Sequence, residues 1–549
     1  MQSPVRNDGG KALKDLRGDT SGLAMIYVTA MLPVIIGMAL LAIDVGRLST
    51  LQSSLQHGAD ALALAGAAEL DSSDSSIARS EAAIAGLVTT NKSLFATLLG
   101  SDAAEITTSD ITTCYLSALP ATDALPLGGC LNKGSGSEDA RFVQVVVTPE
   151  YYTTIFPVTF LSSTGVNYAS TGAEAVAGFD AAVCNFTPIY MCNPLEPPTG
   201  TTDTFEDYGL MAHVDSYSER RKIIKFLAVA TGSTTTGVPG QFGFLDPASG
   251  NGKNALEQEI AATQPGLCFK QNTLKTKTGA MTSLRHAFNI RFDMYHGGLS
   301  KGSYPPAANV RKGYIVQKQT GGKARAGNAC SKNDNKLAGS VTNNATGLKY
   351  TSAQFLGLPT DSCFKTSTCS PANVGNGDWG YEPEIPADVS FTTYWNTNYP
   401  GVSIPSPSDL GIGASTTPFT NANPPPRYDI YRYENTHMHN GKLLRANPSV
   451  GATTDGVKFE ETGLPNCAAP ADAVETPDRR IIYGAIVNCR AEDLRSGSNN
   501  TYRAVAFGKF FITRPMPDSA NSELWLELVD LVAPGDNTGV ARDIVQLYR

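Results

Sequence analysis

Six histidines and ten cysteines are the residues of this 549-residue chain best suited to chemistry. His437 and His439, with Glu434 beside them, have types that suit a metal, but His57, His213, His286 and His296 lie far from them in sequence. With no third imidazole at helical or strand spacing, no metal site is expected. Neither a G-x-S-x-G elbow nor an H-E-x-x-H pair occurs, so the common marks of a serine hydrolase and a zinc protease are missing. GNGKNA at 250–255 lacks the Ser or Thr that follows the lysine of a phosphate loop, and GIGAST at 411–416 lacks the third glycine of a dinucleotide fingerprint. Asp71, Ser73 and Ser75 spell D-x-S-x-S, a cation-binding pattern that needs a buried strand before it. What precedes them is the end of an Ala-rich stretch, so capping of the next helix is the expected role. Asp293 is expected to partner Arg291 or another arginine in the core, and Arg479 and Arg480 to be strand-edge charges. No catalytic residue, metal or cofactor is expected, and the chain reads as a non-enzyme.

The cysteines point elsewhere. Cys114, Cys130, Cys184, Cys192, Cys268, Cys330, Cys363, Cys369, Cys467 and Cys489 are even in number, and no two are closer than C-x5-C. Zinc knuckles use tighter spacing, so disulfides and an oxidising compartment are expected. Connectivity stays open. Nearest-neighbour pairing would join Cys114 with Cys130, Cys184 with Cys192, Cys268 with Cys330, Cys363 with Cys369 and Cys467 with Cys489, with 184–192 and 363–369 the preferred pairs.

The element that must position all of this lies near the N-terminus. Thr20 to Ile43 is a run of 24 residues without a charge, enough helix to cross a hydrocarbon core of roughly 30 Å at about 1.5 Å per residue. It is read as the only span, uncleaved, with Pro33 tolerated inside it. Arg6, Lys11, Lys14 and Arg17 precede the run, whereas Arg47 is the only Lys or Arg between it and Arg79. The positive-inside rule therefore puts residues 1–19 in the cytoplasm as a tail and exports the rest. All ten cysteines then fall on the exported side.

Composition agrees with export. Charged residues make up 17%, beside 52 Gly and 33 Pro, and the formal net charge is -8. That is low against a typical charged fraction of about 25%, and the lack of a basic block argues against nucleic acid as a partner. After the span, 44–70 continues as a helical stalk in which Leu48, Leu51, Leu55 and Leu62 recur at alternating three and four spacing. This stripe is a helix-packing candidate, either against the chain's own domain or against sister subunits. Ala42 and Gly46 form a small-xxx-small pair.

Asp44, Gly46 and Arg47 give D-x-G-R, and Leu55, Gln56, Ala59, Asp60, Ala61, Leu64, Ala65, Gly66 and Ala67 give LQ-x-x-ADA-x-ALAGA. With the preceding tail and span, this pattern resembles the TadE/TadG-like family of tight-adherence, or Flp, pilus-assembly proteins. The resemblance implies a pilin-like N-terminal helix held in the bacterial inner membrane, single-pass, with a periplasmic or surface-exposed C-terminal part and other pilus-assembly or envelope proteins as partners. One departure is that the glutamate of processed prepilins is absent: the fifth position after Gly18 is Leu23, and after Gly22 it is Tyr27. PGQFGFLDP (239–247), NIRFDMY (289–295), RYDIYRYE (427–434) and DRRIIYGAIVNC (478–489) also resemble the large exported part of TadG-like proteins.

Residues 71–185 are expected to form a small α/β domain, because ARFVQVVVTPEYYT and VNYASTGAEAVAGF are β-branched, aromatic or Ala-rich runs bounded by turn residues. Pro188, Pro194, Pro197 and Pro198 mark the boundary to a large β-rich domain, 186–549. Within it 401–427 reads as an exposed loop, and the last apolar runs read as a buried sheet. The expected fold is thus α+β: one transmembrane helix continuing into a stalk, then disulfide-containing β-rich extracytoplasmic domains. The function this favours is a membrane-anchored, pilin-like accessory component of pilus assembly. A membrane-tethered adhesin or ligand-binding protein is the alternative, and an exported hydrolase a third.

Overall fold

The computed structural model of the chain describes residues 20–548 apart from 71–74, 91–106, most of 118–139, 158, 160–165, 230–235, 247–252, 278–283, most of 321–356, 382–387, 496–499, 518–522, 533–540 and shorter stretches. The elements that matter run in chain order α1 (Thr20–Ala67), α2 (Ser76–Thr90), β1 (Ile111–Leu116), β2 (Phe142–Thr153), β3 (Tyr168–Cys184), β4 (Ile189–Cys192), β5 (Ile223–Ala228), β6 (Gln241–Phe244), α3 (Lys253–Ala261), β7 (Cys268–Lys270), α4 (Phe391–Asn398), α5 (Arg427–Thr436), β8 (Ile481–Val487), β9 (Ala506–Ile512), β10 (Glu523–Leu531) and β11 (Ala541–Leu547). The fold is mixed α and β, with one long apolar helix ahead of β-rich units. Two compact units divide at Asp180 and Ala181 rather than at 185/186, and Ile544–Arg549 group with the first unit rather than with the large one. The physical reason is that β11 hydrogen-bonds to the free edge of β3.

In the first unit, span and stalk are one helix, continuous through Pro33. β1, β2 and β3 pair in antiparallel order. Val143, Val145 and Val147 of β2 are buried and lie opposite Ala177, Ala175 and Ala173. Alternation thus puts one face of the strand inside, with branched side chains filling the space its alanine neighbours leave. α2 closes the unit, with Tyr115 Oη donating to Ser80 Oγ at 3.1 Å.

The second unit is built on a closed six-stranded barrel in the order β8-β9-β10-β5-β6-β4. β4 runs parallel to β8 and β5 parallel to β6, and the other neighbours are antiparallel. Ile224, Phe226, Ile482, Ile486, Leu524 and Leu526, two or four apart along their strands, join Leu256 and Ile260 of α3 in one apolar core. Tyr190, Ala485, Val487 and Phe507 from the same strands gather in a second core. A third is aromatic, with Trp379, Tyr394, Trp395, Tyr431 and Phe511. Coverage on both faces explains why these strands read as apolar runs without alternation.

Four described disulfides brace the fold: Cys114–Cys130, Cys184–Cys268, Cys192–Cys489 and Cys363–Cys369. The expected 184–192, 268–330 and 467–489 pairs do not form. Register is the reason. Antiparallel pairing of β3 with β7 sets Cys184 opposite Cys268, and parallel pairing sets Cys192 beside Val487, two residues before Cys489. Cys467 is also disulfide-bonded, and Cys330 lies outside the described residues.

Arg479 and Arg480, expected at a strand edge, sit inside, and Asp293, expected in the core, lies there. Arg480 is buried with its guanidinium over the Phe292, Tyr431 and Phe511 rings, and donates to the Ile512 and Thr513 carbonyl oxygens. Buried Arg479 donates to Pro305, Ala262 and Ala261 carbonyls. Asp293 accepts from the Cys467 and Ala468 N–H groups at 2.6 and 2.9 Å, while Arg291 donates to the Ala287 and Ile260 carbonyls. These side chains satisfy main-chain groups that strand pairing leaves over, a need no local pattern displays. Nor is 401–427 wholly exposed: Phe419 and Pro424–Arg427 are buried, and Trp379 Nε1 donates to Pro425 O at 3.0 Å.

Arg427 forms a fully buried pair with Asp361 at 2.5 Å and also donates to the Pro359 and Arg221 carbonyls. Arg427→Ala strands the Asp361 carboxylate in the core and is expected to cost about 3–5 kcal/mol. Urea denaturation followed by tryptophan fluorescence would read this; a loss near zero would show that the carboxylate finds water.

Glu527, fully buried, accepts from the Arg427 and Tyr428 N–H groups at 2.7 and 3.3 Å, at the start of α5. Burial first, then the Asp429 charge, pushes its carboxyl from 4.5 to about 7 against the pull of Arg220 and Arg427. The raised value means the folded state holds the proton longer than the unfolded state. The contribution is therefore present below pH 4.5 and lost as pH rises to about 7. Glu527→Gln should gain on the parent across that window by on the order of 3 kcal/mol, read as the difference between their denaturation curves at several pH values. A pH-independent difference would refute the assignment.

Candidate functional site: the anchor helix and the sheet docked on it

α1 carries two surfaces in succession. Its N-terminal part belongs to the one helix among the described residues that is long and apolar enough to cross a membrane, and its most apolar stretch is not buried. From Asp44 onward the helix lies on its own unit. Leu51, Leu55 and Leu62 are 4%, 1% and 0% exposed, Ala59, Ala63 and Ala67 are buried, and Leu48 is half-buried. The stripe at three and four spacing is therefore the inner face of the first unit. Of the two roles expected for these leucines, packing on sister subunits is not available to Leu51, Leu55 and Leu62. Their own sheet has already removed them from solvent.

Polar residues set the register of this docking. Asp44, at the last turn of the charge-free run, accepts from Ile155 N at 3.0 Å and Phe156 N at 2.6 Å. These two N–H groups lie just past the end of β2, where no strand partner takes them. Arg47 stands 3.8 Å from the same carboxylate. Three turns into the stalk, Gln56 Nε2 donates to Asp60 Oδ1 and to the Glu174 carbonyl of β3, both at 2.8 Å. Gly66 makes room for α2: a Cβ there would meet Ile84 Cδ1 at 2.7 Å and Ser80 Oγ at 2.9 Å. Gly66→Val is expected to push the two helices apart at a cost of about 1–3 kcal/mol, measurable as a lower midpoint for the first unit with the barrel unchanged.

Residues 22–69 match a family model described as putative Flp pilus-assembly TadE/G-like. Over this segment the chain is similar to TadE/G-like proteins. No curated protein and no solved structure matches the chain. The match ends with the stalk, so the segments at 239–247, 289–295, 427–434 and 478–489 lie outside it. Inside it are Asp44, Arg47, Leu55, Gln56, Ala59, Asp60 and Gly66. In this structure these TadE/G-like positions hold the helix to its own sheet. Sequence reasoning found them as a pattern but not as contacts, because Ile155, Phe156 and Glu174 are more than 100 positions away.

The remaining candidates are dispersed. His57 is exposed on the stalk, and His213 is buried, which pushes its imidazole down to about 4. His286 stacks on His296 at 3.8 Å, and His437 on Tyr433 at 4.4 Å. His439 Nε2 lies 2.9 Å from Asn440 Nδ2. Glu434 turns away from them into the core, where Asn309 and Tyr394 donate to it. Among the described residues no three His, Cys, Asp or Glu side chains gather at metal-binding distance. Asp71 and Ser73 lie outside the described residues, and α2 starts at Ser76. In GIGAST, Gly411 caps a helical turn, Pro407–Leu410, with φ +70°, a conformation that favours glycine.

Proposed function

We infer that this chain is a non-enzymatic, pilin-like accessory component of Flp pilus assembly, held in the bacterial inner membrane by α1 with residues 1–19 in the cytoplasm. The observation that carries this is the TadE/G-like match over 22–69, which coincides with a single continuous helix, Thr20–Ala67. Orientation is supported by the basic residues ahead of the span and by disulfides that lie wholly after it. The units beyond the stalk act as docking bodies for other pilus or envelope proteins. With the leucine stripe buried at home, lateral contacts with pilin-like helices fall to the exposed span and to the pair at its junction with the stalk, Ala42 and Gly46, both open.

The test is surface-pilin abundance and adherence in cells lacking the chain, with a complemented control. Loss of assembled pilin, restored on complementation, is the expected result. Normal pilin with adherence alone lost would make the chain a tethered adhesin instead, and no change in either would overturn the pilus reading.

A further inference from the structure

Tyr151 to Ala173 is a second charge-free run, 23 residues between Glu150 and Glu174. It holds the end of β2, the connection and the start of β3. Hairpin ends facing water are normally polar, with charges and turn formers. Here Ile155 is 49%, Val166 48% and Tyr168 51% exposed.

The hairpin end is fixed at a definite height on α1. Asp44 holds the N–H groups of Ile155 and Phe156. From there the Phe156 ring reaches down the helix to Gly37, where a Cβ would stand 3.4 Å from Phe156 Cε2. Seven residues separate Gly37 from Asp44, about 10 Å at 1.5 Å rise per residue. A groove of about 740 Å³ opens between helix and hairpin, lined by Leu32, Ile36, Leu40, Leu41, Phe156 and Pro157.

The main chain is built for an environment without water. Thr154 N donates to Asn167 O at 3.1 Å, and Ile155 N and Phe156 N donate to Asp44. Pro157 has no N–H, and Thr159 N donates to Asn167 Oδ1 at 3.2 Å. In hydrocarbon every unpaired N–H costs several kcal/mol, so a lipid-facing loop must satisfy its donors internally. The N–H groups of Thr154, Ile155, Phe156 and Thr159 do so. Aqueous loops carry no such requirement.

We propose that the described flanks of the β2–β3 connection, residues 154–157 and 166–168, form a second membrane-embedded element, dipping into the leaflet beside the anchor. Ile155, Phe156, Pro157 and Val166 stand among lipid acyl chains, one of which occupies the groove against Leu32–Leu41. Tyr168, across from Thr153, lies at headgroup level, where tyrosine is favoured. With two points of insertion, the first unit cannot swivel about α1 and presents one fixed side to its partners. The proposal rests on α1 crossing the membrane.

The test uses the full chain in vesicles of phosphatidylethanolamine and phosphatidylglycerol, with quenchers brominated at shallow or deep acyl positions. Trp379, Trp395 and Trp525 are buried in the second unit and give a constant background in the parent. Val34→Trp reports on the span, and Ile155→Trp and Tyr168→Trp report on the hairpin. Ile155→Trp is expected to show blue-shifted emission and strong quenching by brominated chains, as Val34→Trp does, with Tyr168→Trp quenched best by the shallow label. Quenching of Val34→Trp alone, with both hairpin tryptophans quenched by aqueous iodide, overturns the insertion and leaves the anchor standing. Loss of lipid quenching at Val34→Trp as well overturns the anchor itself. Hairpin tryptophans shielded from both lipid and iodide would place a partner helix in the groove and overturn lipid contact.

Discussion

Replacing Leu55 and Leu62 together with alanine is expected to unfold the first unit rather than loosen an assembly contact. Each is buried to 1% exposure or less, and a buried Leu→Ala costs about 2–5 kcal/mol. Two turns of helix separate them, so the losses add to about 4–10 kcal/mol, against total domain stabilities of about 5–15 kcal/mol. Amide exchange on the full chain in detergent separates the outcomes. Protection should vanish from β1 and the buried valines of β2 while β8 to β10 stay protected. Unchanged protection would mean that these leucines are not the core of that unit. The same substitutions will abolish any pilus phenotype the chain supports, and this loss should not be taken as evidence for helix contacts between subunits. Exposed Ala42 and Gly46 are the positions that probe those.

Removing the Cys192–Cys489 bond, as the pair Cys192→Ala and Cys489→Ala, is the second large effect. It spans 297 positions, and both cysteines are fully buried. The chain-entropy account gives about 6 kcal/mol for a loop of that size, against about 2 kcal/mol for a loop as short as that of Cys363–Cys369. The barrel's denaturation midpoint should therefore fall much further for the first pair than for the second, which closes a separation of 6. Equal losses would show that loop closure is not what Cys192–Cys489 contributes. The bond ties β4 to the chain just past β8, its parallel neighbour, and parallel neighbours have no short connection to hold them in register.

What the sequence determined by itself is local. Twenty-four residues without charge specify a helix able to cross a membrane, since each must tolerate hydrocarbon whatever lies beyond. The three-and-four leucine spacing specifies that one stalk face is covered. Cysteine count and spacing specify disulfides rather than a zinc knuckle. The short motif around Asp44 to Ala67 was legible as TadE/G-like for the same reason, being contiguous.

Tertiary structure decided what does the covering. Periodicity records that a face avoids water, and the same stripe would serve a neighbouring subunit or the chain's own sheet. Only the docking of β2 and β3 assigns it to the latter. Asp44 reads in sequence as a membrane-edge charge, and its use as acceptor for Ile155 and Phe156 depends on a hairpin more than 100 residues away. Cys184–Cys268 and Cys192–Cys489 follow from strand register rather than proximity along the chain. Arg427, Arg479 and Arg480 look like surface charges until the surplus carbonyls they satisfy are brought to them. Each of these turns on a distance between remote segments, and such distances are set by how the units close rather than by any local run of residues.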